Sequence, residues 1–199
     1  MLFELAEDYL GRLSIRELAA RSMFMEEVKG LAMKPLGVLV NPAANRGKGN
    51  LVGDRVFELL NSAGIPAVNL SDASAAAAKD KSQSAISAQE LSGVIAVGGD
   101  GTSQLGVNIC VPNQLPLGLV PAGSGNDQAR ELNIPLGDPE AAVQNIIDSI
   151  GKPRRVDVMK VATSNRDFWS LGSISAGFDA LCATTANGLA WPKGPNSYV

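Results

Sequence analysis

The sequence contains no histidine among its 199 residues. That excludes Ser–His–Asp and Cys–His nucleophilic machinery and any His-ligated zinc site. Carboxylates, lysines, hydroxyls and backbone amides are left to carry whatever chemistry there is. Cysteine is scarce as well. Cys110 and Cys182 form no CxxC pair and read as small buried hydrophobes of a reducing compartment. Basic excess is missing: 17 Lys and Arg stand against 20 Asp and Glu, for a net charge of −3, so no global field draws nucleic acid or anionic lipid. No apolar run reaches the roughly 18 residues expected of a membrane span. The opening MLFELAEDYL carries Glu4, Glu7 and Asp8 where a secretory signal has Lys or Arg. The expectation is a cytoplasmic protein whose membrane contact, if it has any, is peripheral.

Two phosphate signatures are absent too. There is no GxxxxGK[ST], which excludes a P-loop. Gly123-Ser124-Gly125 is followed by Gln128 where GxGxxG needs glycine, so the dinucleotide fingerprint fails.

What is present is a folding chain. Hydrophobic residues make up 45 % and charged residues 19 %, enough for a packed core and for one α/β domain with the start of another. Residues 1–33 predict a helical extension. Leu2, Leu5, Tyr9, Leu10 and Leu13 fall near helical spacing, and Ser14-Ile15-Arg16-Glu17 resembles a capping box opening a second helix. The extension is net acidic, which favours packing on the domain or on a second copy (a homodimer) over lying in a membrane surface.

From Pro35 the pattern becomes regular. Apolar strands are predicted at Leu36–Val40, Ala67–Ser71, Gly93–Val97 and Leu115–Val120, separated by helical stretches. Continuous apolar strands alternating with helices predict a parallel sheet with helices on both faces, over residues 34–152. A further helix is expected at Asp138–Ile150, with Pro139 in its first turn. After Lys152 the character changes. Val156–Ala162 and Phe168–Ile174 read as extended segments about a turn at Asn165-Arg166-Asp167, so residues 153–199 predict the first strands of an incomplete second β domain.

Three predicted strands end in small-residue loops, all at the carboxyl edge of one sheet, where open α/β sheets bind ligands. The first is NPAANRGKG, in which Gly47 and Gly49 allow close approach and Arg46 and Lys48 offset phosphate charge; a plain surface turn is the alternative. The second is GGDGT. Its glycines free backbone N–H groups to face an anion, and Thr102 sits where a helix N-terminus adds its positive end. Asp100 is costly beside a phosphate unless it helps hold a metal or orients water, a combination that implies a nucleotide with Mg²⁺. The alternative is a tight turn with Asp100 capping the helix. The third, PAGSGND, repeats the logic with Gly123, Gly125, the Ser124 hydroxyl, Asn126 and Asp127, followed by Arg130. A plain N-cap by Asn126 or Asp127 is its alternative.

Together these residues resemble the diacylglycerol kinase catalytic domain family, which includes sphingosine and ceramide kinases. The resemblance runs from about Pro35 to Val199. It rests on Asn41-Pro42 with the following glycines, Gly98–Thr102, Pro121–Asp127 with Arg130, Asp157 after a basic pair, and Gly177-Phe178-Asp179-Ala180. GGDGT is shared with NAD kinases, whereas PAGSGND looks like the lipid-kinase GTGND segment.

The resemblance implies ATP with Mg²⁺ as the bound nucleotide and a lipid such as diacylglycerol, at a membrane surface, as phosphoryl acceptor. It places Asn41, Ser71, Gly98, Gly99, Asp100, Gly101, Thr102, Ser103, Gln104, Gly123, Ser124, Gly125 and Asn126 around the nucleotide. Asp100, Asp127 and Asp157 match an Asp–water–Mg²⁺ network; a salt bridge to Arg154 or Arg155 is the alternative for Asp157. Two segments depart from the resemblance: Gln104-Leu105-Gly106 stands where relatives read Asn-Glu-Val, which removes a carboxylate, and Gln128 replaces a common aromatic. The family's catalytic carboxylate comes from a DG-x-LD-like segment expected beyond Val199, so no general base is assigned within this chain. An NAD kinase-like phosphotransferase and a nucleotide-binding remnant without turnover are the competing readings.

Overall fold

The computed structural model describes residues 34–188 apart from Lys48, Gln89, Glu90 and Ala176. The helical extension expected at residues 1–33 lies outside the described residues, as does Lys48. The chain divides into two units between Lys34 and Pro35, and the second unit holds the sheet.

Four strands form a wholly parallel sheet in the order β2-β1-β3-β4. They are β1 (Leu36–Val40), β2 (Ala67–Asn69), β3 (Gly93–Gly98) and β4 (Leu117–Pro121). The central strand β3 is buried along its whole length, as expected of an apolar run covered on both sides. Adjacent side chains on a strand point to opposite faces, and here they meet different helices. Val40 packs against Gly53 of α2 (Gly49–Ser62), and Gly118 admits Ile146 of α6 (Pro139–Asp148). Their neighbours Leu39 and Leu117 pack instead with α3 (Ala75–Ser87) and α4 (Asp100–Cys110). Fully buried Leu39, Leu60, Ile95, Val56 and Val97 anchor the two layers, each stabilising by about 1.5–3 kcal/mol.

Local signals set the helix ends. Ser74 caps α3 by accepting from the Ala77 N–H at 3.1 Å. Asp138 accepts from the Ala141 N–H at 2.9 Å, with Pro139 opening α6 where a missing N–H costs nothing. The strand ends differ from expectation by two residues: β2 stops at Asn69 and β4 begins at Leu117. The loop after β1 also differs, because a single helical turn, α1 (Ala44–Gly47), occupies part of it.

Beyond the sheet, β5 (Met159–Ala162) and β6 (Asp167–Ser170) pair antiparallel. Thr163 closes their turn, its hydroxyl accepting from the Arg166 N–H at 3.1 Å and donating to the Arg166 carbonyl at 2.7 Å. Of the expected turn Asn165-Arg166-Asp167, the last residue instead begins β6. Ile174 lies beyond β6, and Phe178–Gly188 forms a helix, α7, which the sequence pattern does not predict. Between β4 and β5 runs the short α5 (Asp127–Glu131). No helix among the described residues is long and apolar enough to cross a membrane.

Burial pushes the Cys110 thiol up to about 12, while Cys182 on α7 is only half-buried. A thiol raised on folding stabilises fully below its ordinary pKa of 9.0, and that contribution is lost as pH rises from there towards 12. At pH 8 a disulfide exchange reagent is expected to titrate Cys182 in the native protein. Cys110 should react only after denaturant is added; rapid native labelling of both thiols would contradict this packing.

Candidate functional site

The loops after β1, β3 and β4 meet at the carboxyl edge of the sheet because the strands are parallel and adjacent. At the first, Asn41 donates its N–H to the Val97 carbonyl at 3.0 Å and uses its side-chain oxygen to accept from the Ala43 N–H at 3.0 Å. Gly49 starts α2 against the Asn41 carbonyl, so close that a Cβ there would lie 2.0 Å from that oxygen. Ser71 follows β2, and its hydroxyl accepts from the Val40 N–H at 2.8 Å, tying the end of β2 to the end of β1. The side chain of Arg46 lies outside the described residues.

The second and third loops touch backbone to backbone. A Cβ on Gly123 would lie 2.3 Å from the Gly99 Cα, a distance only two glycines permit. Asn126 holds this approach in place. It adopts a left-handed φ of 58°, donates from its amide to the Gly123 carbonyl at 2.8 Å and accepts from the Gly123 N–H at 2.9 Å. Its side chain therefore closes its own loop and does not cap α5.

Asp100 likewise does not cap the helix it begins. Gly99 is the N-cap of α4 and makes no side-chain cap bond. The Asp100 carboxylate reaches across to α5 and accepts from the Gln128 N–H at 3.0 Å. Its other oxygen faces Gly125, where a single methyl group would lie 3.0 Å from Asp100 Oδ2 and 3.5 Å from Asp127 Oδ2. The two carboxylates thus border one small space. Arg130 pairs with Asp127 and donates to the Gly125 carbonyl at 3.0 Å, offsetting part of that negative charge.

The remaining expected site residues are distributed unevenly. Gly98, Gly99 and Gly101 line the β3 turn; Gly101 has open space where a Cβ would stand. Thr102 is buried, packed on Gly98, and Ser103 is buried with its hydroxyl 3.4 Å from the Gly99 carbonyl. Ser124 is exposed at the crest of its loop. Gln104 points away from the turn: its amide donates to the Trp169 carbonyl of β6. Asp157 is exposed in the segment before β5, and among the described residues no three His, Cys, Asp or Glu stand close enough to share a metal ion. Neighbouring Arg154 donates to the Leu132 carbonyl at 2.9 Å.

The extent of this arrangement coincides with a known domain: residues 35–161 match the diacylglycerol kinase catalytic domain. The chain belongs to that family. Over 161 residues, 80 % of this chain, it is 30 % identical to a diacylglycerol kinase of Mycobacterium tuberculosis, covering 51 % of that protein. It is 40 % identical to a Bacillus subtilis diacylglycerol kinase over 34 % of this chain and 22 % of the relative. A crystal structure of a diacylglycerol kinase from Bacillus anthracis superposes with a TM-score of 0.50 at 25 % identity, over 59 % of this chain and 43 % of that one. The chain spans about half the length of the M. tuberculosis relative.

Within this diacylglycerol kinase-type domain the cross-loop bond from Gln128 to Asp100 was not legible in sequence. The only signal for it was an Asp at the first position of one helix and an orphan N–H on another, and nothing local pairs them. The Gly99–Gly123 contact yields a direct test. Gly123→Ala is expected to destabilise by about 1–3 kcal/mol, because the new methyl meets fixed backbone. Gly101→Ala, inside α4 with open space, is expected to stabilise by up to about 1 kcal/mol. Urea midpoints moving in the same direction for both variants would contradict the loop geometry.

Proposed function

We propose that this chain carries the nucleotide site of an ATP-dependent lipid kinase of the diacylglycerol kinase type. The observation that carries this reading is the apposition of the two glycine turns at Gly99 and Gly123, with Asp100 and Asp127 facing the same space beside Gly125. Glycine turns at the ends of neighbouring parallel strands bring backbone N–H groups to an anion, and the N-terminus of α4 adds its positive end. The open space at Gly101 leaves room for a phosphate to approach backbone.

Two carboxylates suit Mg²⁺, which takes one or two protein oxygens and completes its shell with phosphate and water. Asp100 and Asp127 would hold it. Asp157, exposed and not clustered with them among the described residues, would act only through water or after rearrangement. When bound, the metal offsets the charge of the phosphates. In the transfer, the bond from the γ-phosphorus to the β-phosphate oxygen breaks, and a bond to the lipid hydroxyl oxygen forms. ADP leaves, and the hydroxyl proton passes to a base. No residue of this chain is assigned as that base. Diacylglycerol presented at a membrane surface is the proposed acceptor, in the cytoplasm, with residues 34–152 as the nucleotide domain, 153–199 as the start of the acceptor domain, and the 1–33 extension as a packing element.

Two measurements test the reading. Isothermal titration with Mg·ATP is expected to give saturable binding by the wild type. Gly101→Ala should weaken it at least about tenfold, since a methyl displaces a phosphate from backbone contact at about 1.4 kcal/mol per tenfold. Transfer from labelled Mg·ATP is then compared with diacylglycerol and with NAD as acceptors. Labelled phospholipid absent in Asp100→Ala supports lipid kinase activity. Labelled NADP overturns the acceptor, and ATP binding without product leaves a binding domain alone. Asp100→Ala also removes the acceptor for the Gln128 N–H, so a stability loss of about 1 kcal/mol is expected alongside.

A further inference from the structure

A two-stranded sheet is marginally stable by itself, and β6 offers a second backbone edge, opposite β5, that no strand among the described residues pairs with. That edge is taken up by side-chain amides. Asn108 of α4 accepts from the Trp169 N–H at 2.9 Å and donates to the Trp169 carbonyl at 2.8 Å. Gln104, one turn earlier on the same helix face, also donates to the Trp169 carbonyl and accepts from the Leu171 N–H at 3.4 Å. Gln128 of α5 donates to the Leu171 carbonyl at 3.0 Å. An amide carries a donor and an acceptor side by side, so these three groups mimic a neighbouring strand along Trp169 of β6 and Leu171 just beyond its end.

The helices that supply them are those opened by the two glycine loops. Gln128 joins both systems in one residue: its backbone N–H is held by Asp100, and its side chain holds Leu171. Its Oε1 is buried without a hydrogen-bond partner among the described residues. Rotating the amide would set that oxygen against the Leu171 carbonyl, so the orientation is fixed by the grip on β6.

We propose that Gln104, Asn108 and Gln128 are positioning residues that couple the glycine loops to the β5–β6 hairpin, so that a nucleotide on the loops and the placement of β6 set one another. The ligand half of this coupling rests on the nucleotide reading; the mechanical half does not. Coupling of this kind is reciprocal between its two ends.

Amide hydrogen exchange read residue by residue, on the full chain, tests both halves. Without ligand, Asn108→Leu is expected to speed exchange at Trp169 and also at Gln128, which Asn108 does not touch. Faster exchange confined to Trp169 overturns the coupling whatever the nucleotide result. With Mg·ATP, exchange at Trp169 and Leu171 is expected to slow about fivefold or more in the wild type. In Gln128→Met, which keeps length and the backbone N–H, titration should still show ATP binding while this slowing at Leu171 disappears. Binding that leaves Trp169 and Leu171 unchanged in the wild type overturns the proposal. Absence of ATP binding removes the nucleotide reading and leaves the ligand-free comparison to decide the coupling. Thermal unfolding identifies a variant that has lost its fold, and Gln104→Leu then replaces Asn108→Leu in the ligand-free arm.

Discussion

Two stretches of backbone meet at Gly99 and Gly123 with no side chain between them, and the rest of the site is arranged about that contact. It exists because β3 and β4 are neighbouring parallel strands, in register through Gly98 and Pro121, whose exits leave the same sheet edge. Side chains at either position would push the loops apart. With the loops together, Asp100 can reach the Gln128 N–H, and Gly125 comes to lie between two carboxylates. One steric allowance thus sets hydrogen bonding, charge placement and the entry of two helices.

The electrostatics follow from this geometry. Two acidic side chains facing one space repel unless something positive intervenes. Arg130 intervenes at one of them, pairing with Asp127 and holding the Gly125 carbonyl. Asp100 is engaged by a backbone N–H and stays half-buried. The arrangement sets a carboxylate oxygen of Asp100 and one of Asp127 beside Gly125, the pair that the proposed reading gives to a hard cation. By contrast, the Arg55–Glu140 pair that joins α2 to α6 at 2.7 Å is a surface contact. The guanidinium holds Glu140 below the usual carboxylate range without bearing on the site.

Membership in the diacylglycerol kinase catalytic domain family gives the glycine loops their context, and it covers the parallel sheet and the first strand of the hairpin. Gln104 and Gln128 serve in the structure as hydrogen-bond partners of β6 and Leu171. The Gln128 amide supplies a donor to the Leu171 carbonyl that a phenyl ring would not. Both side chains join helices that open at the glycine loops to the hairpin side of the domain.

The sequence alone marked a parallel sheet with helices on both faces, while the strand order β2-β1-β3-β4 came with the tertiary structure. Apolar runs such as Gly93–Val97, alternating with helical stretches, suit a parallel, helix-covered sheet, and the glycine-rich segments after them then fall at its carboxyl edge. It also marked Asp100, Gly123 and Asn126, because glycine, acid and amide types at loop ends carry local chemistry. Tertiary structure decided what those residues do. Asp100 caps a helix 28 residues away, Asn126 folds onto Gly123, and Gln104 turns to β6, each a contact between segments distant in sequence or set by a left-handed backbone. Periodicity reports which face of an element is buried. It holds no record of which side chain from another element will stand opposite, and that is settled only when the packed helices bring donor and acceptor within reach.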